Sequence, residues 1–158
     1  MDLMTARWPV AEPDDIARFK ALASAVRGAH VTEGTLDAPF DEVGSFVDDL
    51  ETSLGLLEPD MRRLNVLVRE GDRVEALAVS RWGMRAVLRG TARPGWCWLQ
   101  STFLVIGFAA APEGLNRTRV AFAGGIRIPG RAALIPLGTK WAGRRALRLL
   151  ASATASRT

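Results

Sequence analysis

From Met61 to Ile128 the chain keeps a two-residue period, and turn signals cut that run into pieces of strand length. Side chains alternate across a strand, so the pattern calls for a series of antiparallel strands with one wet face. Over Met61–Arg69, Leu64, Val66 and Val68 alternate with Arg63, Asn65 and Arg69. Glu70-Gly71-Asp72 has hairpin chemistry, and Arg73–Arg81 then sets Val74, Ala76, Ala78 and Ser80 against Glu75, Leu77, Val79 and Arg81. After Gly83, Met84–Thr91 sets Met84, Ala86, Leu88 and Gly90 against Arg85, Val87 and Arg89, so arginine marks the solvent face. Arg93-Pro94-Gly95 leads into a short strand, Trp96–Ser101, whose inward parity the residues leave open. Phe103–Ala111 is apolar on both faces, which predicts a strand buried on both sides. Pro112–Asn116 is a loop to the last strand, Arg117–Ile128, where Thr118, Val120, Phe122, Gly124 and Ile126 alternate with Arg119, Ala121 and Ala123. Gly124-Gly125 predicts a bend or bulge there.

Helical patterns flank the strands. Pro13, Asp14 and Asp15 suit the first turn of a helix that runs to about Val26, with Ile16, Phe19, Leu22, Ala23 and Val26 on one face and Gly28 as its stop. That face is too apolar to leave in water and should pack on the rest of the chain or on a second copy, which makes a homodimer possible. A first strand follows over Ala29–Leu36, with His30, Thr32, Gly34 and Leu36 on one side. Pro39, Asp41 and Glu42 open a short helix with Phe40, Val43, Phe46 and Val47 inward. A second short helix over Asp49–Leu57 turns Leu50, Leu54 and Leu57 inward and ends before Pro59. After Pro129-Gly130, residues Arg131–Ser156 read as one long amphipathic helix. Lys140, Arg144, Arg148 and Ser152 make its polar stripe, and Ile135, Thr139, Ala142, Ala146, Leu149, Leu150 and Ala153 its buried side. That buried side is thin, because Gly138, Ala142, Gly143 and Ala146 are small.

The 158 residues predict one principal globular domain, 29–158, with 1–28 as a helical appendage. The sequence pI near 10.5 rests on arginine, since lysine occurs only at Lys20 and Lys140. That bias fits a GC-rich bacterial genome as readily as a function. Cys97 and His30 are the only residues of their kinds, which excludes an intrachain disulfide and any cysteine-rich zinc site. Asp2, Arg7 and Glu12 stand where a secretory leader would be apolar, and Phe103–Pro112 is about half the length a spanning helix needs. The expected setting is cytoplasmic, with no transmembrane segment. Asp14-Asp15 and Asp48-Asp49 sit at helix ends, where acids cap, and no glycine-rich loop carries a phosphate-binding lysine. The arginines at 63, 69, 81, 85 and 89 alternate singly with apolar residues, the pattern of a solvated sheet face rather than of specific nucleic-acid readout.

The order strand, two short helices, six strands, long helix resembles the START-like, polyketide cyclase or Bet v 1-like helix-grip superfamily. The resemblance is carried by Gly34-Thr-Leu-Asp-Ala-Pro-Phe-Asp-Glu-Val, Leu56-Leu-Glu-Pro, Pro112-Glu-Gly-Leu-Asn-Arg-Thr-Arg-Val and the Pro129-Gly130 junction, and covers about Ala29 to the C-terminus. Where the family usually has a tryptophan in the second short helix, Leu50–Leu57 has none. The resemblance implies an α+β fold in which a seven-stranded antiparallel sheet grips the last helix around an apolar cavity for lipids, polyketides or similar molecules. The small inward residues Ala76, Ala78, Ser80, Ala86 and Gly90 face the small side of the last helix, which leaves room for such a ligand. The ligand-binding set expected is Phe46 and Leu54 from the short helices, Ala78, Ser80, Ala86, Leu88, Val120 and Phe122 from strands, and Ile135, Thr139, Ala142 and Ala146 from the last helix. Trp98 and Gln100, if they point inward, add an aromatic wall and one polar anchor. No catalytic residue, metal ligand or cofactor is assigned. The function expected is binding or carrying of a hydrophobic small molecule; alternatives are a polyketide cyclase or dehydratase and an interaction module using the basic surface.

Overall fold

Asp14 starts the first helix: its backbone is extended and its carboxylate accepts a hydrogen bond from the Ala17 N–H at 2.8 Å, satisfying one of the orphan donors of the first turn. The computed structural model describes residues 14–57, 61–126, 148, 150–152 and 155–156. Helix α1 spans Asp15–Ala25, strand β1 His30–Leu36, helix α2 Phe40–Gly44 with a single 3-10 turn after it at Ser45–Val47, and helix α3 Leu50–Leu57. Six strands follow: β2 Met61–Glu70, β3 Arg73–Ser80, β4 Arg85–Arg93, β5 Trp96–Gln100, β6 Leu104–Gly114 and β7 Arg117–Ile126.

The seven strands form one antiparallel sheet in the order β1-β7-β6-β5-β4-β3-β2. β1 and β2 are close in sequence but lie at opposite edges, so α2, the turn and α3 must carry the chain across one face of the sheet. Val43, Val47, Leu50 and Leu54 are buried against that face together with Leu36, Leu64, Val74, Ala76, Leu88, Leu99, Phe108, Val120 and Phe122. The crossing is pinned at its start by Thr118, whose fully buried hydroxyl donates to the Ala38 carbonyl at 2.8 Å. It is tied down again at β2, where the Glu51 carboxylate accepts from the Val66 N–H at 2.8 Å. An edge strand would otherwise present that donor to water or to another chain.

Helix α1 covers the opposite, outer face, burying Ile16, Phe19 and Ala23 against Trp98, Val105, Ala109, Ala111, Ala121 and Ala123. This is why Val105–Ala111 is buried throughout, as its unbroken apolar run predicts. Three ion pairs tie α1 to three different strands: Asp15 to Arg93 at 2.9 Å, Asp14 to Arg119 at 2.8 Å and Lys20 to Glu33 at 2.7 Å.

Several local expectations change. Met84, expected inward, and Phe103, expected in a strand buried on both sides, lie outside β4 and β6 and are exposed, and Pro112–Gly114, expected as loop, continues β6. In β2 the alternation fails after Val66, because a register shift between Val66 and Val68 inserts a residue and leaves Leu67 55% exposed. Val68 then pairs with Glu75 on the outer face, and Arg69 pairs with Val74 on the inner one, the reverse of the simple period. At Gly124-Gly125 the β6–β7 ladder runs without a bulge. A Cβ at Gly125 would stand 2.8 Å from the Gly28 carbonyl oxygen, so the glycine there admits the chain entering β1. Of the helix expected over Arg131–Ser156, the described residues Arg148, Leu150–Ser152 and Ala155 are helical, and Leu150 is fully buried in the inner core. The remainder lies outside the described residues.

Candidate functional site

The inner face has two halves. Across β6 and β7 it is filled by rings and branched chains: Phe108 and Phe122 pack at 5.3 Å between centroids beside Ile106 and Val120. Across β3 and β4 it carries more small residues, with Ala78 opposite Ala86 and Ala76 opposite Leu88, while Val74 faces Gly90, where a Cβ would run into the Trp98 carbonyl. Leu54, Ala78, Leu88, Val120 and Phe122 are buried in one continuous core, and Phe46 packs half-buried against it. The fold therefore gathers six of the expected residues on one surface, with Ala86 half-buried at its margin. Ile135, Thr139, Ala142 and Ala146 lie outside the described residues.

The other three are engaged elsewhere. Ser80 ends β3, and its hydroxyl accepts from the N–H groups of Trp82 at 3.2 Å and Met84 at 3.1 Å, bracing the turn into β4. Trp98 and Gln100 point to the outer face, where the Trp98 indole donates to the Gln100 side-chain oxygen at 3.0 Å. Parity follows from register: Cys97 and Leu99 pair with the inward Phe108 and Ile106, which sends Trp98 outward.

Among the described residues few polar groups share the inner face. Arg69 reaches it through the bulge and donates to the Val47 and Asp48 carbonyls at 3.4 and 3.2 Å, at the end of the crossing segment. The Cys97 thiol is pushed up to about 12 by burial, with the Arg69 charge pulling weakly the other way, so at neutral pH it is a small apolar group and a poor nucleophile. His30 and Thr32 share the inner parity at the β1 edge, opposite Gly124 and Phe122. Among the described residues the perturbed carboxylates are held elsewhere and shifted downward. The Arg93 hydrogen bond lowers Asp15, that of Thr52 at the start of α3 lowers Asp49, and that of Arg73, with the Arg89 charge beside it, lowers Glu75 on the outer face. Each is an ion-pair or cap member, stays ionised at neutral pH and so makes a poor general acid. Among the described residues no three His, Cys, Asp or Glu side chains cluster to hold a metal.

The outer face holds a feature the sequence does not announce. The Phe19 ring sits edge-on to Trp96 and Trp98, with centroids 5.7 and 5.5 Å away, and fills the notch left by Gly107, where a Cβ would come within 2.7 Å of it. The one available signal is a glycine inside an otherwise bulky apolar strand. Beyond it, β5 stops at Gln100 opposite Arg89, so the Arg85–Leu88 part of β4 keeps a strand partner only in β3. The gap is a depression of about 590 Å³ lined by Arg85–Val87, Arg89 and Gln100–Phe103. A smaller one of about 230 Å³ continues past Ser101–Val105 to Ala25–Ala29.

No protein-family model matches the sequence, and no curated protein matches it. Solved structures do match its fold. A START superfamily protein from Mycobacterium smegmatis is similar at a TM-score of 0.56 and 16% identity, over 83% of this chain and 99% of that one. A protein from Thermus thermophilus gives 0.59 and 19% over 82% and 99%. An 18 kDa protein from Caulobacter crescentus gives 0.61 and 17% over 81% and 96%. At such identities the likeness speaks for architecture alone. No helix among the described residues is long and apolar enough to cross a membrane. With its seven-stranded antiparallel sheet and its two short helices crossing from one edge strand to the other, the chain has the START/Bet v 1-like fold.

Proposed function

We propose that the chain binds a hydrophobic small molecule, such as a lipid or polyketide, between the inner sheet face and the C-terminal helix, and releases it unchanged. In this reading residues 29–158 are the binding unit and residues 1–28 an appended helix. The observation that carries it is the contrast within the inner face: β6 and β7 present Phe108, Phe122 and Ile106, while β3 and β4 present Ala76, Ala78 and Ala86. A face that is apolar and carries small side chains favours an apolar ligand through burial alone, with little demand for directional contacts. Proton-transfer chemistry would need convergent titratable groups there, whereas Asp15, Asp49 and Glu75 are paired or capping elsewhere and Cys97 stays a neutral thiol.

Native mass spectrometry of freshly purified protein tests the reading, the expected result being a non-covalent adduct that organic extraction removes. A bare polypeptide mass, together with no uptake of an environment-sensitive apolar dye, would sink it.

A further inference from the structure

The turns at the two ends of the sheet differ in charge and in which large apolar side chains they expose. One end carries the β2–β3, β4–β5 and β6–β7 turns, and there arginines are balanced by acids: Arg73 lies 3.6 Å from Glu70, and Arg117 lies 3.3 Å from Glu113. The other end carries the chain from α1 to β1, the β3–β4 turn and the β5–β6 turn. Residues 26–29, 80–85 and 100–104 contain Arg27, Arg81 and Arg85 and no acid. Among the described residues none of these three arginines forms an ion pair.

The same end exposes large apolar side chains: Trp82 at 77%, Met84 at 65%, Phe103 at 54% and, beside them on β4, Val87 at 40%. Trp82, Met84 and Phe103 sit on turns that serine hydroxyls brace. Ser80 accepts from the Trp82 and Met84 N–H groups, and Ser101 accepts from the Phe103 and Leu104 N–H groups at 3.1 and 3.0 Å. The depression lined by Arg85, Val87, Ser101 and Phe103 joins the two turns into one surface.

We infer that this end of the sheet seats on an anionic lipid bilayer, with Trp82, Met84 and Phe103 entering the headgroup boundary and Arg27, Arg81 and Arg85 reaching lipid phosphates. Tryptophan favours that boundary because its ring is apolar and its N–H stays wet, and uncompensated arginines are drawn to the negative surface potential. Met84 and Val87 decide between a bilayer and a nucleic acid: neither offers a flat ring for a base to stack on, and both gain from leaving water. The inference stands on this surface alone and holds whether or not the inner face takes a ligand.

Co-sedimentation of the full chain with vesicles of phosphatidylcholine, with and without phosphatidylglycerol, tests it. Expected is binding to the anionic vesicles that weakens with salt, and quenching of tryptophan emission by brominated acyl chains that Trp82→Phe reduces without losing binding. Trp82→Ser with Phe103→Ser should abolish sedimentation, and Arg81→Gln with Arg85→Gln should weaken it on the order of tenfold. All four side chains are solvent-exposed, so unchanged melting curves separate lost binding from lost fold. No sedimentation with anionic vesicles at low salt, or sedimentation indifferent to the serine variants, overturns the inference. So does an oligonucleotide complex or a lipid-free dimer that the serine variants abolish while vesicles go unbound, since either would assign the patch to another partner.

Discussion

The outer face under α1 and the inner face across β3 and β4 belong to one sheet and share its alternation, yet they are closed by opposite means. On the outer face one large ring, Phe19, occupies the notch at Gly107 between two indoles, and ion pairs from Asp14, Asp15 and Lys20 fix the helix that carries it. On the inner face Ala78 meets Ala86 and Ala76 meets Leu88, so at least one member of each pair is a small side chain. The difference teaches that apolar patterning alone does not separate a packed interface from a receptive one. Side-chain volume summed across facing elements does, because protein interiors are close-packed and tolerate little empty space without an occupant. Each substitution below perturbs one side of that contrast.

The largest effect is expected at Phe19. Truncation to alanine should cost ~3–5 kcal/mol in chemical denaturation, through lost burial and the cavity left between Trp96, Trp98 and Gly107. A loss below ~1 kcal/mol would mean that α1 is an ornament on an already closed sheet. Gly107→Ala approaches the same contact from the strand, placing a Cβ 2.7 Å from the ring, and should cost ~1–3 kcal/mol by overpacking. Combined with Phe19→Leu the two changes should be less harmful than their sum, since the smaller side chain yields the space. Strict additivity would show that the glycine and the ring do not share a site.

The legible and illegible parts of the chain divide along the same line. The strand series, the hairpins and the apolar face of α1 were readable because each repeats a short period against a sharp polar contrast, as Val74 does between Arg73 and Glu75. Trp96-Cys97-Trp98-Leu99 offers no such contrast, so its parity came from pairing with β6, and with it the removal of Trp98 and Gln100 from the inner face. The β2 bulge hid for a related reason: Val66-Leu67-Val68 is apolar at every step, so an inserted residue leaves no trace in the pattern, and Arg69 could not be seen turning inward. Ser80 carries an inward parity that the sequence shows, but its use by the Trp82 and Met84 N–H groups depends on turn geometry. Phe46, Leu54, Leu88, Val120 and Phe122 were legible as inner-face residues because helix and strand periods both put them there.

A smaller effect is expected from the ion pair that locks α1. The Arg93 hydrogen bonds, at 2.9 and 3.0 Å, hold the Asp15 carboxyl below its ordinary 3.8. A depressed carboxyl stabilises the fold at pH values above its unfolded pKa, and that contribution is lost as pH falls through the lower folded value. Asp15→Asn should therefore cost no more than ~1 kcal/mol at neutral pH, since the pair is part-exposed. As pH falls from about 3.8 through the lower folded value, wild type and variant should converge, so a difference that persists at still lower pH would point to packing rather than charge.

The smallest effect is the most telling for the inner face. Ala86 pairs with Ala78, is half-buried, and borders the open end of β4 where β5 no longer runs beside it. A phenylalanine placed in a filled core would cost ~1–3 kcal/mol, whereas a ring placed above small neighbours has space to occupy. Ala86→Phe should leave the melting temperature almost unchanged and abolish uptake of an environment-sensitive apolar dye by the wild-type chain. Both readings are needed together, because lost uptake with a large fall in melting temperature reports only a damaged fold. Strong destabilisation, with no dye taken up by the wild type, would make the inner face as tightly filled as the outer one. The contrast between the two faces would then vanish, and the binding proposal with it.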